Sequence, residues 1–239
     1  MNWQERTKLL LGNSHLSNLV KANILVVGVG GVGGYAAEML CRAGIGNLTL
    51  VDADIVSETN INRQLPALHS TIGRPKVEVL KERFLDINPD LNINTRQIFV
   101  EANEVKALFI QNYDFVVDAI DTIQCKCKLI EYCLDNNIPI ISAMGAGAKT
   151  DLSKIQITNI WKTHHCRLSK TVRDVLTHDG YKGKKLPVVF SDEQPNLKAV
   201  IEVQGEKNKR STVGSIGYYT AVFGCYMAEY VIKNLTKDE

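Results

Sequence analysis

The chain has 239 residues, 45% hydrophobic and 23% charged, a balance that excludes disorder, collagen and coiled coil as descriptions of the whole. At this length a fold buries about 70–75% of the surface its unfolded form exposes, so a core forms without disulfides or structural metals. Charge divides unevenly: residues 1–150 carry 14 basic and 16 acidic side chains and residues 151–239 carry 14 and 10, which puts the positive excess where a polyanionic partner would be felt.

Asn2 to Leu19 reads as a helical arm, and with no basic segment leading into an apolar run it predicts no secretory signal and a cytoplasmic setting. Asn23 to Val27 is a short, almost wholly apolar run that suits a strand covered on both faces. It leads into Gly28-Val29-Gly30-Gly31-Val32-Gly33-Gly34, then a helical pattern closed by Gly44 and Gly46, then a second strand, Leu48 to Val51, ended by Asp52. The alternation continues with a helix over Lys76–Phe84, a strand over Leu91–Phe99 and a helix over Glu104–Gln111. A strand at Asp114–Ala119, a helix at Cys125–Asn136 and a strand at Pro139–Ala143 complete it. Strands alternating with helices over about 145 residues predict an α/β, Rossmann-like, doubly wound and mostly parallel sheet.

After Gly147 the texture changes, to strands at Ile155–Ile160, Pro187–Ser191 and Ala199–Val203 around a basic stretch, Lys162–Lys185, with a helical middle. This reads as an extension built on the sheet. Ser211–Ile232 is long enough to span a bilayer, but its glycines and hydroxyl residues favour a strand-turn and a closing helix, and no membrane insertion is expected. Six cysteines at 41, 125, 127, 133, 166 and 225 form neither a disulfide framework nor paired C-x-x-C knuckles.

Glycines 28, 30 and 33 satisfy G-x-G-x-x-G between a strand and a helix, where the backbone approaches a phosphate with no side chain between and the helix start offers N–H groups. Asp52, at the end of the second strand, is placed for ribose hydroxyls. An NAD-dependent oxidoreductase would explain this much. It leaves Arg63, within Asn60-Ile61-Asn62-Arg63-Gln64, and Lys76, after Gly73-Arg74-Pro75, without a purpose. Two cations converging on a nucleotide suit a triphosphate whose charge is neutralised before its α-phosphorus is attacked. Asp118 and Asp121, at the carboxyl edge of the sheet, could hold Mg²⁺.

Together these motifs resemble the adenylating enzymes related to ubiquitin-activating enzyme, including the MoeB and ThiF proteins. The resemblance implies one adenylating domain: a helical arm (1–22), an ATP-binding Rossmann-like core (23–150) and a basic substrate-binding extension (151–239). It implies ATP and Mg²⁺, with Gly28, Gly30, Gly31, Gly33, Asp52, Asp54, Asn62, Arg63, Gln64, Lys76, Asp118 and Asp121 around the nucleotide and Asp121 on the metal. It also implies a homodimer in which Arg6 is lent to the other copy's ATP, so that Arg6, Arg63, Lys76 and Asp121 form the catalytic set.

The two C-x-x-C pairs that usually hold zinc in MoeB- and ThiF-like enzymes are missing, so no zinc is expected, while a monovalent cation is allowed for. The C-terminal stretches around Gln156, Phe190, Lys207–Gly214 and Ala221–Cys225 are similar to the tRNA threonylcarbamoyladenosine dehydratases, the TcdA/CsdL family. That likeness implies ATP-dependent cyclisation of threonylcarbamoyladenosine beside the anticodon, through an acyl-adenylate. The family's second name also points to a cysteine desulfurase or sulfur-acceptor partner. The alternative is activation of the C-terminal glycine of a ubiquitin-like sulfur carrier. Basic residues Lys162, Arg167, Lys170, Arg173, Lys182, Lys184 and Lys185, with a second cluster at Lys207, Lys209 and Arg210, fit phosphate contacts to tRNA. Histidines 164, 165 and 178, interleaved among them, are spaced too irregularly to argue a metal site.

Overall fold

A computed structural model describes residues 3–202 and 211–237. Its centre is a seven-stranded sheet of β1 (Asn23–Val27), β2 (Asn47–Val51), β3 (Asn92–Arg96), β4 (Phe115–Asp118), β5 (Ile140–Ala143), β6 (Ile155–Asn159) and β7 (Pro187–Ser191), in the order β3-β2-β1-β4-β5-β7-β6. Every pairing is parallel except β6 with β7. The predicted doubly wound sheet is therefore present, and β6 closes one edge as an antiparallel strand.

The apolar run of β1 explains why the sheet is covered twice. Side chains alternate along a strand, so Ile24 and Val26 face one layer and Leu25 and Val27 the other. On the first side they meet Ala36, Ala37 and Leu40 of α2 (Gly33–Ala43) and Phe223 and Met227 of α6 (Gly217–Leu235). On the second they meet Leu129 and Ile130 of α4 (Ile123–Asp135), backed by Val172 and Leu176 of α5 (Arg167–His178). Each such Leu, Ile or Val, fully buried, contributes about 1.5–3 kcal/mol relative to exposure.

The remaining elements are α1 (Glu5–Lys21), α3 (Lys76–Ile87) and a two-stranded ribbon of β8 (Val200–Glu202) and β9 (Ser211–Val213). Two expectations change. The N-terminal arm is interrupted at Gly12, whose φ of 83° and ψ of 167° no α-helix accommodates. The segment predicted as a helix from Glu104 is a 3₁₀ helix, Ala102–Leu108. The apolar C-terminal segment divides into β9 and α6 as predicted, and no described helix is long and apolar enough to cross a membrane.

α6 lies unusually close to α2. A Cβ at Gly224 would stand 2.5 Å from the Val32 carbonyl oxygen and 2.8 Å from the Ala36 nitrogen, so only glycine lets the two backbones meet. The C-terminal helix is thus seated directly on the start of the glycine-loop helix.

Candidate active site

In an open α/β sheet, ligands bind where the strand order reverses, at the carboxyl ends of the strands. Here that point lies between β1 and β4, and it opens into a cavity of about 510 Å³. Its floor is the glycine loop. Gly28 has φ +85°, and a Cβ there would sit 2.7 Å from the Ala119 carbonyl oxygen, so the loop packs against the end of β4 only as glycine. Gly30 and Gly31 face the cavity, whereas Gly33 is buried at the start of α2 and does not line it.

Asp52 stands at the tip of β2 with Oδ2 accepting the Val29 N–H (2.7 Å) and Oδ1 the Asp54 N–H (2.8 Å). Burial pushes its carboxyl above the usual range, opposed by the Lys76 ammonium and by those two N–H groups. Lys76, at the first position of α3, is only 3% exposed, and its Nζ donates to Asp54 Oδ2 at 2.6 Å. Both line the cavity.

The segment carrying Arg63 is a folded brace. Asn60 accepts the Ser57 N–H on its side chain (3.1 Å) and the Arg63 and Gln64 N–H groups on its carbonyl (3.1 and 2.9 Å). The Arg63 guanidinium donates to the Thr59 carbonyl and to Asn62 Oδ1, each at 2.8 Å, which fixes it at the cavity wall. Asn62 does not line the cavity, contrary to expectation. It braces Arg63 and donates to the Ser215 carbonyl (3.0 Å), joining this loop to the C-terminal extension. Gln64 lines the wall with a buried amide oxygen that has no hydrogen-bond partner among the described residues.

The two aspartates after β4 have opposite surroundings. Asp121 is exposed, lines the cavity and has no hydrogen bond or ion pair among the described residues. An open carboxylate facing this cavity is the kind of oxygen donor Mg²⁺ prefers, so the site fits that ion. Asp118, read from the sequence as a second carboxylate that could hold the ion, lies next to this site without lining the cavity. Asp118 is wholly buried, with Oδ2 accepting from Lys126 Nζ (2.7 Å) and Ser142 Oγ (2.6 Å) and Oδ1 from the Ile120 N–H (3.1 Å). Lys126, equally buried, also donates to the Ile120 carbonyl (2.9 Å), so the pair grips both ends of the residue before Asp121.

Sequence reasoning did not find Lys126, nor the apolar shelf of Ile98, Phe99 and Val100 on the β3 side of the cavity. It also missed Leu168, Thr212 and Thr220, through which the extension supplies the cavity's other rim. Arg6 is exposed on α1 and does not line the cavity of its own chain. Cys125 and Cys127 are buried in α4, and burial raises their thiols to about 11 and about 12, so they pack as neutral groups.

Of the basic residues, Lys162, Arg167, Lys170, Lys182, Lys184 and Lys185 are exposed. Lys184 is engaged by Asp135 (3.7 Å) and lies over the Tyr181 ring. Arg173 departs from expectation: it is half-buried and turned inward, its guanidinium donating to the Thr163 hydroxyl and to the Thr163 (3.0 Å) and Ile160 (3.4 Å) carbonyls. Its Nη1 caps a loop, whereas Nε and Nη2 take no part in these bonds. Lys207, Lys209 and Arg210 lie outside the described residues.

A family model described as "ThiF family" matches residues 4–239. The chain is 40% identical to the tRNA threonylcarbamoyladenosine dehydratase of Bacillus subtilis (strain 168), over 98% of this chain and 94% of that one. It superposes on a crystal structure of the Escherichia coli tRNA N6-threonylcarbamoyladenosine dehydratase, TcdA, in complex with ATP, with a TM-score of 0.88 at 35% identity, covering 98% and 94%. Similarity to the molybdopterin-synthase adenylyltransferase of E. coli (strain K12), 36% identical, stops at 52% of this chain and 49% of that one. With a dehydratase likeness that runs through both the cavity and the extension, the chain belongs to the ThiF family and, within it, to the group of the tRNA threonylcarbamoyladenosine dehydratases.

Proposed function

We propose that the chain converts threonylcarbamoyladenosine in tRNA to its cyclic form at the expense of ATP. A carboxylate oxygen of the threonyl group attacks the α-phosphorus, and the bond to the departing pyrophosphate breaks. A nucleophile within the same side chain then attacks the acyl carbon and expels AMP, so that water is formally lost. Closure within one side chain reaches effective molarities of about 10⁵–10⁸ M, so no covalent enzyme nucleophile is required. The observation that carries this reading is the reach of the likeness: it covers 98% of the chain and so includes the extension at residues 151–239, whereas the likeness to the E. coli molybdopterin-synthase adenylyltransferase covers 52%.

Roles follow from position. Asp52 accepts the ribose hydroxyls, and the shelf of Ile98 and Phe99 offers the base an apolar face. Arg63 and Lys76 hold the phosphates from one wall, with Gln64 and the loop N–H groups beneath. Asp121 would hold Mg²⁺ from the opposite wall, and the ion when bound withdraws charge from the phosphate oxygens. Arg6 is proposed to complete the site of a second copy. Leu9 and Leu10, 77% and 83% exposed on the same helix, support a buried interface there. With a tRNA substrate, the cytoplasm is the setting this reading expects.

The test is turnover of ATP to AMP and pyrophosphate with nucleoside mass analysis of the tRNA. Turnover is expected only with tRNA carrying the threonylcarbamoyl group, with a product lighter by one water. Equal turnover without that tRNA, or with a carrier-protein adenylate as product, would assign the cavity to sulfur-carrier activation instead. Lys182→Ala, at an exposed ammonium with no ion pair among the described residues, is expected to leave the nucleotide affinity unchanged while weakening tRNA binding. The slope of log K against log salt should fall by roughly 0.7–0.9, the loss of one phosphate contact.

A further inference from the structure

We propose that His164, His165 and Asp192 form a binding site for a divalent transition-metal ion, Zn²⁺ being the occupant their chemistry suits, separate from the nucleotide cavity. One ligand atom from each lies within 4.8 Å of the other two, although Asp192 is far along the chain. The closest pair, His164 Nε2 and Asp192 Oδ1, is 2.5 Å apart.

Three features bring the donors together. Successive side chains of an extended segment point to opposite sides, and two adjacent histidines would ordinarily diverge. His165 has φ +50°, in the left-handed region that costs a non-glycine residue energy and recurs at ligand sites. Across that turn the two rings stand edge to face with centroids 4.9 Å apart. His164 is oriented from behind: its Nδ1 lies 3.3 Å from the Lys162 carbonyl oxygen, and its ring rests against Phe190. A ligating histidine usually donates its second ring N–H to such a carbonyl, and binding replaces the proton that His164 Nε2 shares with Asp192 Oδ1 by the ion. Asp192 is anchored by its own N–H to the Lys154 carbonyl (3.0 Å), just past the end of β7.

Two imidazole nitrogens and one carboxylate oxygen form a three-residue set that leaves a fourth position to water, a pattern for Zn²⁺ and its neighbours in the first transition row. Mg²⁺ and Ca²⁺ require oxygen donors and are excluded. Four ligands around Zn²⁺ at about 2.1 Å stand roughly 3.4 Å from one another. His164 and Asp192 therefore open slightly and His165 swings inward, rotations that half-exposed side chains make freely. The buried Lys149, with Nζ on the Ser191 carbonyl (2.8 Å) and close enough to interact with the Asp192 charge, opposes the entry of a further cation. When filled, the site ties the loop that opens α5 to the end of β7, and so fixes the helix that presents Arg167 and Lys170.

The experiment uses the full chain, stripped of metal with a chelator and then dialysed against Zn²⁺ or Co²⁺. The wild type is expected to bind one equivalent of Zn²⁺ per chain, and its Co²⁺ form to show the visible d–d band of four-coordination without thiolate charge transfer. His165→Ala and Asp192→Asn should each weaken uptake about tenfold or more. His178→Ala, outside the cluster, and Asp121→Ala, in the nucleotide cavity, should leave it unchanged. Retention of full affinity by both cluster variants, or absence of uptake by the wild type at micromolar Zn²⁺, would overturn the assignment. Neither result bears on the nucleotide cavity, because the readout is metal content and spectrum.

Discussion

Lys126→Met is expected to lower the stability of the fold by about 3–5 kcal/mol, read as a shift in the urea midpoint at unchanged slope. The size follows from burial. Neither Lys126 nor Asp118 has any solvent-exposed side-chain surface, so removing the ammonium leaves a carboxylate charged in a medium that cannot solvate it. The Ser142 hydroxyl and the Ile120 N–H still reach Asp118 and soften the loss. Asp118→Asn on the Lys126→Met background should recover much of it, because an amide keeps the Ser142 contact without a charge to bury. A single-variant loss below about 1 kcal/mol would mean that the pair is not what holds this end of β4. The double variant separates the ion pair from packing, since its side-chain volume hardly differs from that of Lys126→Met alone.

Arg63→Ala is expected to lower kcat/KM for ATP by about 2–4 kcal/mol of transition-state stabilisation, roughly 30- to 1,000-fold, with the thermal midpoint nearly unchanged. The guanidinium is fixed before any substrate arrives, held by the Thr59 carbonyl and Asn62, so it loses little freedom when charge develops at the phosphates. For the same reason Arg63→Lys should not rescue the activity: the guanidinium braces itself through Nη1 alone and keeps Nε and Nη2 for a phosphate, whereas lysine carries its three donors on one nitrogen. Full activity in Arg63→Ala would remove this residue from the catalytic set while leaving the fold assignment intact.

The range of each interaction decides how much of this fold and site is legible in the sequence. β1, β4 and β5 were legible because strands covered on both faces are written as continuous apolar runs. The glycine loop was legible because its spacing is local. Asp118 shows where that reading stopped. Its place at the end of a strand was right, but the pattern D-x-x-D says nothing of Lys126 eight residues on, reached only after a loop and a helical turn. Arg173 is a related case: in the sequence it is one of a run of cations, and only the fold brings the Thr163 and Ile160 carbonyls to its Nη1. The antiparallel placement of β6 is likewise a tertiary fact, since Ile155–Asn159 alternates as well in either direction. Asp192 is separated from His164 by α5 and β7, so no spacing rule joins them.

The glycine contact between α6 and α2 also has a practical side. Cys225 follows Gly224 directly, and it is exposed while the other five cysteines are buried. A thiol-selective dye is thereby directed to one address, on a helix whose inner face abuts Val32 at the rim of the nucleotide cavity. The protein carries its own attachment point for an optical gauge of site occupancy, with no engineered residue needed.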